Sequence, residues 1–272
     1  MPVPVISGLA RTLVREVALR TPYLNDRFLE WQFRRREQSF RGIYSSFREA
    51  SQAAPSGSLS GYNHEEIALI NEGELETLNQ ADYPVLFWMA PLLPGARRVF
   101  DLGGNIGVAY YAYRRFLTFP DALRWTVCEV PATATAGRGL AEERGADGLS
   151  FTDDRAAADD CDIYFTAGAL QYIEKPLAAI IARLSRRPRH IILNRVPLWE
   201  GERFVTLQNN GAWTVPYKVD NLETFLLGLA GLGYDLIDHW RIARTLEVLT
   251  SGEHRVENYH GMYLRLDESA GR

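Results

Sequence analysis

The 272-residue sequence predicts an α/β fold: a doubly wound, mostly parallel seven-stranded sheet with an N-terminal helical extension. Three observations carry that expectation. From Arg97 onward, apolar runs of strand length alternate with stretches of helical spacing. The run Val99-Phe100-Asp101-Leu102 stops at Gly103-Gly104-Asn105-Ile106-Gly107, which reads as a strand, a tight turn and the start of a helix facing a ligand. Acids then close successive strands: Asp101 the first, Glu129 the second, and Asp153 just beyond the third.

Composition narrows the class. A net charge of −4 and a pI near 5.8 give no global reason to expect nucleic acid as a partner. No run approaches the apolar length of a membrane span, and Arg11, Arg15 and Arg20 interrupt the first twenty residues, so neither a transmembrane segment nor a secretory signal is expected. Cys128 and Cys161 fall in strand-like runs without metal-ligand spacing, which suits buried free thiols and a cytoplasmic protein. Arginines dominate residues 11–48, and seven acids with no lysine or arginine follow from Glu49 to Asp82. Solvated helix faces of opposite sign account for this; a basic first helix on an anionic membrane surface is the rival reading.

The first 95 residues read as helical, without a convincing strand. Ser45 and Ser46 can cap a helix through Phe47-Arg48-Glu49-Ala50, and Asn63 another through His64-Glu65-Glu66. A helix is expected over Tyr83–Leu93. Pro94-Gly95 then marks the boundary between a helical lid (1–95) and the doubly wound domain (96–272). The domain's expected strands are 98–102, 124–129, 149–152, 162–166 and 190–194, with helices to about Phe119, over 133–144 and over 176–184. Residues 196–220 lose periodicity and are expected to form an irregular substrate-cap insert. A helix over 221–232 precedes two last strands, 234–242 and 258–266, antiparallel to one another; 243–257 is an ambiguous connection.

In a doubly wound sheet the C-terminal strand ends form the ligand crevice. An acid ending the second strand accepts both hydroxyls of a ribose, and a polar residue after the third reaches an adenine amino group. A dinucleotide site would instead need G-x-G-x-x-G and amides free for a pyrophosphate, whereas Asp101 repels a pyrophosphate and suits a ligand with an α-ammonium.

These residues resemble the class I, Rossmann-like S-adenosylmethionine-dependent methyltransferases, whose D-x-G-x-x-x-G motif is matched by Asp101, Gly103 and Gly107. The chain is also similar to a family of methyltransferases linked to sugar and surface-polysaccharide biosynthesis, through Phe40-Arg41-Gly42-Ile43-Tyr44-Ser45-Ser46-Phe47, Phe100-Asp101-Leu102-Gly103-Gly104-Asn105, Gly168-Ala169-Leu170-Gln171-Tyr172 and Ile192-Leu193-Asn194-Arg195. The resemblance implies S-adenosyl-L-methionine as cofactor. It implies that Asp101, Gly103, Gly104 and Gly107 line the methionine end, Glu129 holds the ribose, Val130 lies beside the adenine, Asp153 meets its edge, and Gly168 and Ala169 pass beneath. Asn105 departs from the usual glycine spacing, and either contacts the carboxylate or tolerates an unusual turn conformation.

On the acceptor side, Tyr172, Asn194, Arg195 and His64 are the catalytic candidates, with loop hydrogen bonding, surface charge or helix capping as their structural alternatives. Tyr44, Tyr62, Gln171, Gln208 and Tyr217 are candidate substrate contacts, and Trp213 joins the tyrosines in an expected aromatic pocket. His190, His239 and His260 open or sit in strands and read as core residues. No acid or histidine grouping has metal-ligand spacing. The expected activity is methyl transfer to a small-molecule acceptor, with O-methylation of a sugar or secondary-metabolite hydroxyl leading. A homodimer is compatible with this reading. A cofactor-binding regulatory subunit without turnover and an NAD(P)-dependent oxidoreductase are the competing classes.

Overall fold

The structure is a computed structural model that describes residues 22–55, 59–60, 75, 77–211 and 213–267. In chain order its elements are α1 (Pro22–Arg35), β1 (Ser39–Tyr44), α2 (Phe47–Gln52), β2 (Leu59–Ser60), α3 (Tyr83–Leu92), β3 (Arg98–Leu102), α4 (Val108–Tyr113), β4 (Arg124–Cys128), α5 (Pro131–Glu143), β5 (Leu149–Thr152), β6 (Ile163–Ala167) and α6 (Leu177–Ile181). They continue with β7 (His190–Trp199), β8 (Phe204–Asn209), β9 (Trp213–Asn221), α7 (Leu222–Ala230), β10 (Tyr234–Ile242), β11 (Leu246–Val248), β12 (Ser251–Val256) and β13 (Tyr259–Leu266). The chain divides into two compact units. One comprises residues 1–60, 205–216 and 246–255, and the other comprises 61–204, 217–245 and 256–272.

The second unit carries the doubly wound sheet. Its strands lie in the order β5-β4-β3-β6-β7-β13-β10; the first five are mutually parallel, and β13 runs antiparallel to both of its neighbours. The registers Leu102↔Cys128, Cys128↔Thr152 and Ala167↔Asn194 bring the parallel strands to one common edge. Gly103, Glu129, Asp153, Gly168 and Arg195 follow there in sequence. Because β13 is antiparallel, its first residues, Tyr259 and His260, meet Pro197 and Val196 at this same edge.

Both faces are buried, as a parallel sheet requires. Side chains alternate strictly between two cores. Val99, Ile192 and Tyr263 join Val85, Met89, Tyr110, Tyr113, Trp125 and Phe165 on one face. Phe100, Ile191, Leu193, Met262 and Leu264 join Tyr164, Leu177, Ile181 and Leu229 on the other. Trp125 anchors the first core: Phe119 stacks on it at 5.5 Å, while Tyr110 and Tyr113 meet it edge-on. α5 begins with Pro131, whose missing N–H costs nothing there. At α7, Asn221 Oδ1 accepts from the Thr224 amide at 2.8 Å.

In the first unit, β1 lies between β8, antiparallel, and β11, parallel. Phe33, Ala50, Val205 and Leu207 form its small core. Ser46 caps α2 through the Glu49 amide, as expected.

Four expectations are corrected. The described residues hold 13 strands rather than seven. The N-terminal 95 residues are not wholly helical, because Phe40-Arg41-Gly42-Ile43-Tyr44 forms β1, whose partners lie far away in sequence where local periodicity carries no signal. Residues 196–220 are not an irregular insert: β7 continues to Trp199, and β8 and β9 follow, with the Gln208 and Asn209 amides satisfied by hydrogen bonds to Gln38 and the Phe33 carbonyl. The helix after the glycine turn stops at Tyr113, short of Phe119, which leaves the helix and lies flat on Trp125. No helix among the described residues is long and apolar enough to cross a membrane.

Trp240 on β10 covers Gly261 on β13 so closely that a Cβ there would lie 2.0 Å from the indole. Gly261→Ala is therefore expected to lower unfolding free energy by about 1–3 kcal/mol, read as a left-shifted urea transition.

Candidate functional site

The common strand edge is built around a turn that only glycine permits. Gly103 has φ +73°, and a Cβ on it would fall 2.2 Å from the Ala169 Cβ, so the loops after β3 and β6 touch only because that atom is missing. A Cβ on Gly104 would fall 2.3 Å from Asp101 Oδ2, which places the Asp101 carboxylate directly behind the turn. Asn105, at φ +54°, donates its amide to Glu129 Oε1 at 3.1 Å, while its own Oδ1 accepts from the Ile106 amide. Of the two readings of Asn105, the geometry matches the residue that tolerates the turn.

Glu129 is half-buried. Its second oxygen accepts from the Val130 amide at 3.0 Å, so both oxygens are fixed by backbone donors and keep further lone pairs for a ligand. Burial raises its carboxyl above the usual range, and the two amides work in the opposite direction. Asp153 is exposed beyond β5, and its neighbour Asp154 caps the following turn through the Ala156 amide.

Asp101 is only 1% exposed. Trp125 Nε1 donates to its Oδ2 at 3.1 Å, while Oδ1 has no partner among the described residues. Loss of hydration pushes this carboxyl up to about 7; the Trp125 bond opposes the shift, the Glu129 charge adds to it, and Arg195 opposes it.

Gly168 donates its amide to the Asn194 carbonyl at 2.9 Å and accepts from Gln171 Nε2 at 2.7 Å. Gln171 is 4% exposed, and its Oε1 has no partner among the described residues. Tyr172 is half-buried and packs edge-on against Tyr217, 5.3 Å between centroids. The Tyr217 hydroxyl is sequestered against that of Tyr259 at 2.6 Å, in the core rather than in an open pocket.

Two catalytic candidates are reassigned by their surroundings. Asn194 is 0% exposed; its Nδ2 donates to Asp82 Oδ1 at 2.8 Å and to the Ala81 carbonyl, and its Oδ1 accepts from Trp240 Nε1 at 3.1 Å. Every polar atom is engaged, so the side chain ties the segment 79–82 to β7. Arg195 has φ +56° at the bulge where β7 and β13 slip register, and its guanidinium lies 3.9 Å from Asp82 and beside Gly168. Asp82, which the sequence offered only as one more acid before a helix, is the residue that holds both.

Gln208 is buried in the first unit, where its Nε2 donates to Gln38, and Tyr44 and Trp213 also belong to that unit. Tyr62 and His64 lie outside the described residues. The described histidines all have partners. His239 and His260 bond each other at 2.7 Å, with desolvation lowering both and taking His260 to about 4; His190 meets Tyr263, and His254 meets Ser251. The two cysteines are buried, with thiols pushed up to about 12. No group of three or more possible metal ligands occurs among the described residues.

The residues gathered here fit a nucleoside with a cationic head. Glu129 offers a ligand's hydroxyls a fixed acceptor. The Gly103–Gly104 cradle admits close approach, and the orphaned Asp101 oxygen behind it favours positive charge. The Glu129 carboxylate beside the turn disfavours a pyrophosphate.

Asn194→Ala is expected to lower unfolding free energy by about 2–4 kcal/mol, because it strips a donor from the buried Asp82 carboxylate and the acceptor from Trp240. Urea denaturation measures this; a purely catalytic role would leave the transition in place.

No protein-family model matches the chain, and no curated protein sequence matches it. Among solved structures, the chain is similar to the N-terminal domain of EvdMO1 with SAH bound, at 16% identity and TM-score 0.48, covering 81% of this chain and 95% of that one. It is similar to the CcbJ methyltransferase from Streptomyces caelestis at 12% identity and TM-score 0.47, covering 70% and 92%. It is similar to the 1,6-didemethyltoxoflavin-N1-methyltransferase of Burkholderia thailandensis at 18% identity and TM-score 0.46, covering 79% and 95%.

Proposed function

We propose that the chain is an S-adenosylmethionine-dependent methyltransferase acting on a small-molecule acceptor, with a sugar or secondary-metabolite hydroxyl as the preferred acceptor group. The observation that carries this reading is the Glu129 carboxylate. It stands just after β4 and is locked by the Asn105 and Val130 amides beside the Gly103–Gly104 turn, where no Cβ blocks the approach of a ligand. A carboxylate with two fixed oxygens matches a vicinal diol and does not match a phosphate.

The cofactor would supply an activated methyl group on a sulfonium. Glu129 would hold the ribose, Val130 and Asp153 would border the adenine, and Gly103, Gly104, Gly168 and Ala169 would give the amino-acid end its close backbone approach. Gln171 Oε1, buried and without a partner among the described residues, would accept a hydrogen bond from an acceptor hydroxyl. Tyr172, packed on Tyr217, would border the acceptor. Methyl transfer is an in-line displacement, so holding the acceptor oxygen in line and excluding water supplies much of the rate. Arg195 would stabilise the crevice floor between Asp82 and Gly168 rather than move a proton.

Calorimetry with S-adenosylhomocysteine tests the reading. Wild-type protein is expected to bind it, and Glu129→Gln is expected to bind about 10- to 100-fold more weakly, the loss of hydrogen bonds to a charged acceptor. Tight binding of NADH together with none of S-adenosylhomocysteine would overturn the proposal in favour of an oxidoreductase.

A further inference from the structure

The Asp101 carboxyl poses a physical question that the fold does not require. A strand end in a parallel sheet has no need of a carboxylate in its core, and an unpaired buried charge is costly. Yet Asp101 is walled in on every side. β4 contributes Trp125, whose indole bonds Oδ2, and the Glu129 carboxylate. α4 contributes the buried Tyr113 phenol, which lies within electrostatic reach of Asp82, Asp101 and Arg195. β7 contributes Arg195, whose guanidinium stays with Asp82 at 3.9 Å. On β6 its register neighbour is the apolar Phe165. The remaining side is the backbone of Gly104, which has no Cβ to separate the carboxyl from a ligand on the turn.

We propose that this crevice exchanges a proton for a cation: Asp101 rests as the neutral acid, and gives up its proton to solvent when a ligand's ammonium group seats on the Gly103–Gly104 turn. The inference rests on the cofactor reading above and adds a regulation to that same site. With no cation, the carboxyl is 1% exposed, has one hydrogen bond and faces a neighbouring carboxylate, conditions that favour the uncharged form. An ammonium across the glycine turn supplies the missing positive charge, so the ionised form becomes the stable one. One proton leaves Asp101, one cation arrives, and no covalent bond changes. Burial of the acid to about 7 sets the exchange near neutral pH. Glu129, which meets the ribose instead, takes no part in recognising the cation.

Titration calorimetry of the full chain in two buffers of different ionisation heat tests this, with S-adenosylhomocysteine and 5′-methylthioadenosine, which carries the same nucleoside without the amino-acid head. At about pH 6 the first ligand is expected to release about 0.9 proton per molecule bound, and its Kd to tighten about fivefold between about pH 6 and pH 7. The second ligand is expected to release none and to bind with a flat pH profile. Asp101→Asn should abolish the release. Without any ligand, a raised folded-state carboxyl contributes stability that is present below about pH 4 and lost as pH rises through about 7, so wild-type Tm should fall relative to Asp101→Asn across that window. That comparison needs a folded variant, whereas the calorimetry needs only the wild type. Binding of S-adenosylhomocysteine without proton release overturns the exchange alone. Failure of that ligand to bind at any pH overturns the cofactor reading, and the exchange with it.

Discussion

The close approach of Gly103 to Ala169 is the constraint on which the sheet edge depends. With a Cβ at 103 the loops after β3 and β6 would collide, and the turn could not hold φ +73° without strain. Because they meet, the Asn105 amide reaches Glu129 and the Asp101 carboxyl sits against Gly104. One missing carbon atom thus couples the ends of three strands, and the acids there acquire their separate characters. Glu129 becomes a fixed acceptor at the surface of the crevice, and Asp101 a sequestered acid beneath it.

A second layer supports this edge from the side of α3. Asp82 receives Asn194, Asn194 receives Trp240, and Trp240 covers Gly261. Asp82 and Asn194 are buried, Trp240 is half-buried and each is paired, so the network is worth more intact than its separate bonds suggest. It ties the segment ahead of α3 to the ends of β7 and β10. The bulge that puts Arg195 at φ +56° belongs to the same arrangement, because the register of β13 slips there and turns the guanidinium toward Asp82 and Gly168. Rigidity of this kind suits a reaction whose rate depends on alignment.

Much of the doubly wound sheet was legible because its signals are local. Arg98–Leu102 and Leu149–Thr152 are strands as read from their apolar runs, and Ser46 caps a helix as its position implies. β1 and the β8–β9 pair were not legible, for a shared reason. Their partners are distant in sequence, and residues such as Gln208 and Asn209 look like loop chemistry until Gln38 and the Phe33 carbonyl are brought against them. Asn194 misled in the opposite way: a polar residue at a strand end reads as a site residue, yet its bonds are all structural.

The sequence by itself determined where the parallel strands end and where the glycine turn falls, because glycine, strand-ending acids and apolar alternation act through neighbours a few residues apart. Only the tertiary structure decided what each acid is for. Whether a carboxylate is an exposed acceptor, a structural anchor or a neutral buried acid depends on solvation and on partners from other strands, and Asp82, Trp125, Arg195 and Gly104 reach their places only through folding.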